Sequence, residues 1–317
     1  METETRYHPT FEQWAIGSTI EESLVELLPL SRLHTSCHED AATWQSLEEI
    51  GVFGIGVSET AGGSGLGAVE EALIVMSLGR RLVSPAVLAT IGTAFLRGTV
   101  SPGDRAAAAY RREGRIILVE EPETPFILLR DSNGAALYDS TSCRSKFLEG
   151  RLWLTRLCEM SEPGEPAQRF NPSQLIRLRL HDAAALAGIA ASALEASVAY
   201  ARIREQFGRP IGSFQAVKHH CANMAIAARC ARDQTSFAAV ALDERRAHAA
   251  MEVEYALAVA GSAALENAKL SIQIHGGMGF SDEADPHLFL KRAQLLIAIA
   301  GGLEASIGRI ASSPGGE

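Results

Sequence analysis

Tyr200–Met224, YARIREQFGRPIGSFQAVKHHCANM, joins two helical segments across a Gly208–Gly212 break that also contains Pro210. Arg202 and Arg204 close an Ala-rich helix, and Gln215 stands near the start of the next. Two guanidinium groups at a helix-to-helix turn suit a diphosphate, because the planar fork of Arg matches phosphate oxygens. A solvated helix end is an equally simple reading. Outward from this turn, Asp182–Gln206, Ser213–Ala247 and Met251–Ile274 are predicted as long helices, each beyond about six turns. A second glycine break follows at Gly276–Gly279. The small side chains of residues 183–201 permit close helix approach, so an antiparallel bundle is expected over 175–317.

Residues 1–114 are read as a helical domain, with Leu24, Leu27 and Leu28, then Trp44, Leu47 and Ile50, at near-helical spacing. From Arg115 the pattern changes. Four short extended candidates, 115–120, 126–130, 135–138 and 151–155, are separated by EPETP, DSNG and FLEG turns. A Pro-rich remainder closes a reduced β insert over 115–174. The predicted fold is mainly α: an N-terminal helical domain, a small β insert and a C-terminal helical bundle.

The 29 Lys and Arg against 38 Asp and Glu leave a net charge of −9, which argues against nonspecific nucleic-acid binding. No uninterrupted apolar run approaches the length of a membrane span, and the acidic start METETRYHPTFEQW does not read as a secretory signal. Five scattered cysteines without a CxxC pair read as reduced thiols, so the expected compartment is the cytoplasm.

Three further motifs invite chemistry. The loop Gly62-Gly63-Ser64-Gly65-Leu66-Gly67-Ala68 contains GxGxxA, which in a dinucleotide fold would place a pyrophosphate on the following helix. No βαβ alternation or acidic partner follows, and a glycine-rich interhelical turn is the simpler reading. His34, Cys37, His38 and Glu39, and separately His219, His220 and Cys221, lack further ligands at metal-site spacing, so no metal is expected. No GxSxG occurs.

The string Arg204-x-Gln206-Phe207-Gly208-x-Pro210-Ile211-x-x-Phe214-Gln215-x-Val217 resembles a signature of the acyl-CoA dehydrogenase family. Gln273-Ile274-His275-Gly276-Gly277-Met278-Gly279-Phe280 resembles its second signature, and Leu47–Gly79 looks like its N-terminal glycine pattern. The resemblance implies an FAD-dependent enzyme that desaturates an acyl-CoA thioester at Cα–Cβ and passes electrons to an acceptor protein. It places Arg204 on the FAD pyrophosphate with Phe207 nearby, and Gln215, Gln273, Gly276 and Gly277 around the adenosine half.

The catalytic glutamate of the family is missing from both of its usual places. One equivalent position is Ala300 and the other is Leu178; neither side chain accepts a proton. Glu304, one helical turn beyond Ala300, is the remaining candidate for a displaced base, with a surface carboxylate as its plainer reading. Glu283 matches an acidic position of the family pattern and reads as structural. The 58 residues of Arg115–Pro172 fall short of the at least about 60–70 that a seven-stranded barrel needs. Trp153-Leu154-Thr155 faintly resembles the family's flavin-contacting Trp-Ile-Thr string. This combination resembles the base-lacking subunit of heteromeric, steroid side-chain-type acyl-CoA dehydrogenases, with a paralogous subunit as partner. A homomeric flavoenzyme using Glu304 and a non-catalytic scaffold are the two other readings.

Overall fold

α1 (Phe11–Leu27) begins at a reciprocal capping box in which Thr10 and Gln13 each satisfy a backbone N–H that the first turn would leave orphaned. Asp40 caps α2 (Ala41–Glu49) in the same way, accepting from the Thr43 N–H. Two mostly buried helices follow, α3 (Ala68–Arg80) and α4 (Pro85–Arg97), the latter started by a proline and ended by Gly98 in the left-handed region. The computed structural model describes residues 6–36, 38–119, 124–132, 134–148 and 155–312.

The chain enters the sheet at residue 106, inside the stretch expected to be helical. The strands are β1 (Ala106–Arg112), β2 (Arg115–Val119), β3 (Phe126–Asp131), β4 (Gly134–Asp139), β5 (Ser145–Phe147), β6 (Leu157–Met160) and β7 (Gln168–Phe170). They form one sheet in the order β5-β6-β2-β1-β3-β4-β7, with only the β1–β3 pair parallel. Seven strands therefore stand where the pattern predicts four. β1 opens with four alanines, which carry a helical propensity; buried between β2 and β3, they are overridden by packing. β5, β6 and β7 have only three or four residues each, too few to display an alternation. Glu113 and Gly114, both at positive φ, make the two-residue turn that pairs β1 with β2. Of the extended candidate at 151–155, only Thr155 lies among the described residues, and it is buried.

The remainder is helical. α5 (Ile176–Ile203), α6 (Gln215–Asp243) and α7 (Ala249–His275) run antiparallel to one another in sequence order. Between α5 and α6 a short hairpin pairs β8 (Glu205–Gln206) with β9 (Arg209–Pro210). α8 (Pro286–Ile299) and α9 (Leu303–Ser312) pack on α7. The segment 172–203 is long and apolar enough on composition to cross a bilayer. Here it is the core of the bundle, packed on α3, α6 and α7. α3 crosses α5 at two glycines. A methyl at Gly79 would stand 2.2 Å from the Ala185 carbonyl oxygen, and one at Gly188 would stand 2.0 Å from that of Met76. Backbone therefore meets backbone at the seam between the N-terminal helices and the bundle.

Candidate functional site

The C-terminal ends of α5 and α7 and the N-terminal end of α6 meet at one end of the bundle. Ala201, Met224 and Ile274 form a buried cluster there, flanked by Ile211, Val217 and Leu270. Tyr200 stacks on His275 at 4.2 Å between ring centroids, tying the two glycine-broken motifs together across 75 residues of chain. His275 Nδ1–H donates to the Ser271 carbonyl at 2.7 Å, and burial holds the ring's pKa below its ordinary value. Tyr200 and His275 lie inside the two quoted motifs, yet their pairing has no signature in one dimension.

On this framework the predicted cofactor residues are presented outward. Arg204 ends α5, its N–H bonded to the Tyr200 carbonyl at 2.9 Å and its carbonyl accepting from Ile211 N–H at 2.7 Å. Its exposed guanidinium makes no hydrogen bond or ion pair among the described residues. Phe207 sits at the hairpin tip with φ +54° and is 92% exposed, edge-on to Phe214 at 6.1 Å. Arg209 lies over the other ring of this pair, Phe214, at 4.2 Å. Gln215 is the first residue of α6 and Gln273 lies in the last turn of α7; both are exposed. Gly276 adopts φ +61°, ψ −135°, a conformation that side chains resist, and no atom lies within 4 Å of a methyl built on it or on Gly277. Met278 and Phe280 are exposed beside them.

The positions of the missing base lie at the opposite end of α5. Ala300, at the end of α8, lines a cavity of about 280 Å³ with Tyr110, Arg130, Arg179 and Arg309. Three carboxylates stand at or beside this cavity, and each pairs with an arginine; Asp131, which lines it, lies 3.5 Å from Arg111. Arg130 grips Asp182 bidentately at 3.0 and 2.6 Å. Glu254 accepts from Arg309 at 2.8 and 2.9 Å and from the Ser306 hydroxyl at 2.8 Å, and Arg179 lies 3.2 Å away. Burial draws the pKa of Arg179 down, while the Glu254 charge opposes that. Leu178 is buried in a void of only about 20 Å³ with Leu128, Leu296 and Ile299. Glu304 lies in the first turn of α9, is exposed, and does not line the Ala300 cavity. Glu283 is exposed too, accepting from Ser281 Oγ.

The remaining motifs resolve into structure. The N-terminus of α3, where GxGxxA would seat a phosphate, is filled by a carboxylate. Asp243 accepts from the Ala68 N–H at 2.6 Å and the Val69 N–H at 3.1 Å, and Glu70 accepts from Gly67 N–H at 3.1 Å. His34 bonds the Asp285 carboxylate and the Asp282 carbonyl, each at 2.8 Å, anchoring the N-terminal region to α8. Cys37 lies outside the described residues.

Residues 12–101 match the family model for the acyl-CoA dehydrogenase N-terminal domain, and residues 172–313 that for its C-terminal domain. The chain is 32% identical over 269 residues to acyl-CoA dehydrogenase IpdE2 of Mycobacterium tuberculosis, covering 80% of each. It is 33% identical over 298 residues to acyl-CoA dehydrogenase FadE34 of the same organism, matching 81% of this chain but only 40% of that protein's length. Among solved structures it resembles the ChsE4–ChsE5 complex from Mycobacterium tuberculosis. The TM-score is 0.76 at 21% identity, over 98% of this chain and 100% of that one, a likeness of fold.

Proposed function

The chain belongs to the acyl-CoA dehydrogenase family, and from that premise we propose that it is the base-lacking subunit of a heteromeric, FAD-dependent acyl-CoA dehydrogenase. One observation carries this reading: both base positions hold alkyl groups, while Asp131, Asp182 and Glu254, the carboxylates at or beside the Ala300 cavity, are each paired with an arginine. Proton abstraction needs a carboxylate within hydrogen-bond reach of the acid hydrogen, and Glu304 is exposed and does not line that cavity.

The residues at the other end of α5 fit an FAD pyrophosphate and adenosine. An exposed guanidinium without a protein partner, Arg204, suits a diphosphate. The bare backbone of Gly276 and Gly277 allows close approach, and Gln215 and Gln273 offer amide groups beside it. When bound, FAD supplies the hydride acceptor. Arg204 neutralises and orients the diphosphate, and Phe207 covers it from water. The glutamate and the ring pocket come from a paralogous subunit, in keeping with the two-component name of the ChsE4–ChsE5 complex. The substrate is an acyl-CoA thioester of the steroid side-chain type, the electrons leave to an acceptor protein, and the compartment is the cytoplasm.

The visible absorption spectrum tests this. The chain purified alone is expected to carry little or no flavin, and co-purification with its paralogous dehydrogenase to restore flavin bands and activity. In that complex Arg204→Ala is expected to strip the flavin. Stoichiometric flavin on the lone chain would overturn the shared site. Turnover by that lone chain, abolished in Glu304→Gln, would establish the homomeric alternative; no flavin in either sample would leave a scaffold.

A further inference from the structure

A second cavity, of about 350 Å³, lies between the N-terminal helices and the sheet. Its wall is the face of α4 carrying Thr90, Thr93, Ala94 and Arg97. The glycine-rich turn at residues 62–64 forms another side. The volume sits at the small end of the roughly 300–1,000 Å³ range of small-molecule sites.

Two groups here are unsatisfied among the described residues. Arg105 makes no ion pair or side-chain hydrogen bond; its guanidinium lies over the Trp44 ring at 4.5 Å. Stacking uses the face of the guanidinium and leaves its N–H donors free in the plane. Thr93 is 4% exposed, and its buried hydroxyl has no partner. The other charges are spoken for or screened. Arg97 is paired with Asp104 at 2.5 Å and lies over the Phe126 ring. Glu48 is exposed and accepts only a long bond, 3.4 Å, from Gly103 N–H. Phe53, Ala94, Val100 and Phe126 supply the apolar remainder.

From this arrangement we infer that the cavity binds a small amphiphilic monocarboxylate, its carboxylate on Arg105 and its apolar body against Phe53, Val100 and Phe126. A guanidinium fork matches a carboxylate bidentately. One unpaired cation beside two acidic groups suits a single negative charge better than a phosphate dianion. The site is on the opposite side of α4 from Leu178, which packs against Gly92, so it is separate from the position of the missing base.

Isothermal titration of octanoate into the purified chain tests this, with octanamide as the uncharged probe of the same body. Saturable binding of octanoate is expected, with about tenfold or weaker affinity for octanamide, the least that a charge-assisted bond contributes. Arg105→Gln is expected to erase that preference and Arg105→Lys to keep part of it, both with unchanged circular dichroism. Thr93→Val is expected to weaken octanoate. Absence of saturable binding by the unaltered chain, equal affinity for the two probes, or a preference that survives Arg105→Gln would each overturn the inference. None of these readouts depends on flavin, so the result stands apart from that of the shared-site test.

Discussion

Glu71, 1% exposed on α3, is a buried carboxylate that meets both Arg177 and His181. Burial by itself would raise its pKa, but the His181 ring at 3.0 Å and the Arg177 guanidinium outweigh burial and hold it at about 2. The folded value lies below the unfolded one. Its contribution is therefore complete above about pH 4.5 and is lost as pH falls through about 2, an amount on the order of 3 kcal/mol. Urea denaturation across pH 2–7 should show this slope in the native chain and lose it in Glu71→Gln. At pH 7 that variant is expected to be less stable by about 2–3 kcal/mol, because Arg177 loses its closer partner and keeps only Asp243 at 3.9 Å. At this scale the sequence was legible only where a residue sits in a local string. Arg204, Phe207 and Gly276 stand out because they lie in strings that resemble the family's signatures. Glu71–Arg177 and Arg130–Asp182, 106 and 52 residues apart, do not, because only the tertiary fold makes them neighbours.

Among elements, the α3–α5 crossing makes the sharpest demand on side-chain size. Gly188→Ala forces a methyl against the Met76 carbonyl, so a loss of about 1–3 kcal/mol is expected by thermal or urea denaturation. Gly164→Ala, with open space around it and no positive φ, is the matched control and should be neutral. The long helices were legible because a 3.6-residue rhythm persists over 27–29 residues, and their ends fall within a few residues of the glycine breaks. Of the sheet, β2, β3 and β4 were legible, each within a residue of the candidates at 115–120, 126–130 and 135–138, whereas β1 and the short strands were not. Residues 106–109 are alanines, and the edge strands are too short for a period to register against the turns around them.

For the whole molecule, the split between a presented cofactor end and a base-free cavity predicts stoichiometry. Light scattering coupled to absorbance on the co-purified complex should give one flavin for each pair of unlike chains. Arg204→Ala should leave the mass unchanged while the flavin is lost, since Arg204 holds no other part of this chain in place. A mass that falls with the flavin would mean that this residue holds the subunits together rather than the cofactor.

α5 also acts as a ruler. Its 28 residues make a rod of about 42 Å, and residues 178 and 204 stand about 39 Å apart along it. That gap is greater than an extended dinucleotide can bridge. A cofactor whose phosphates rest on Arg204 therefore has its reactive ring beyond this chain's own Ala300 cavity, against whatever surface is brought up to the hairpin end. The helix sets how far the cofactor end lies from the base-free cavity, and a deletion of one turn within α5 would bring them closer by about 5 Å.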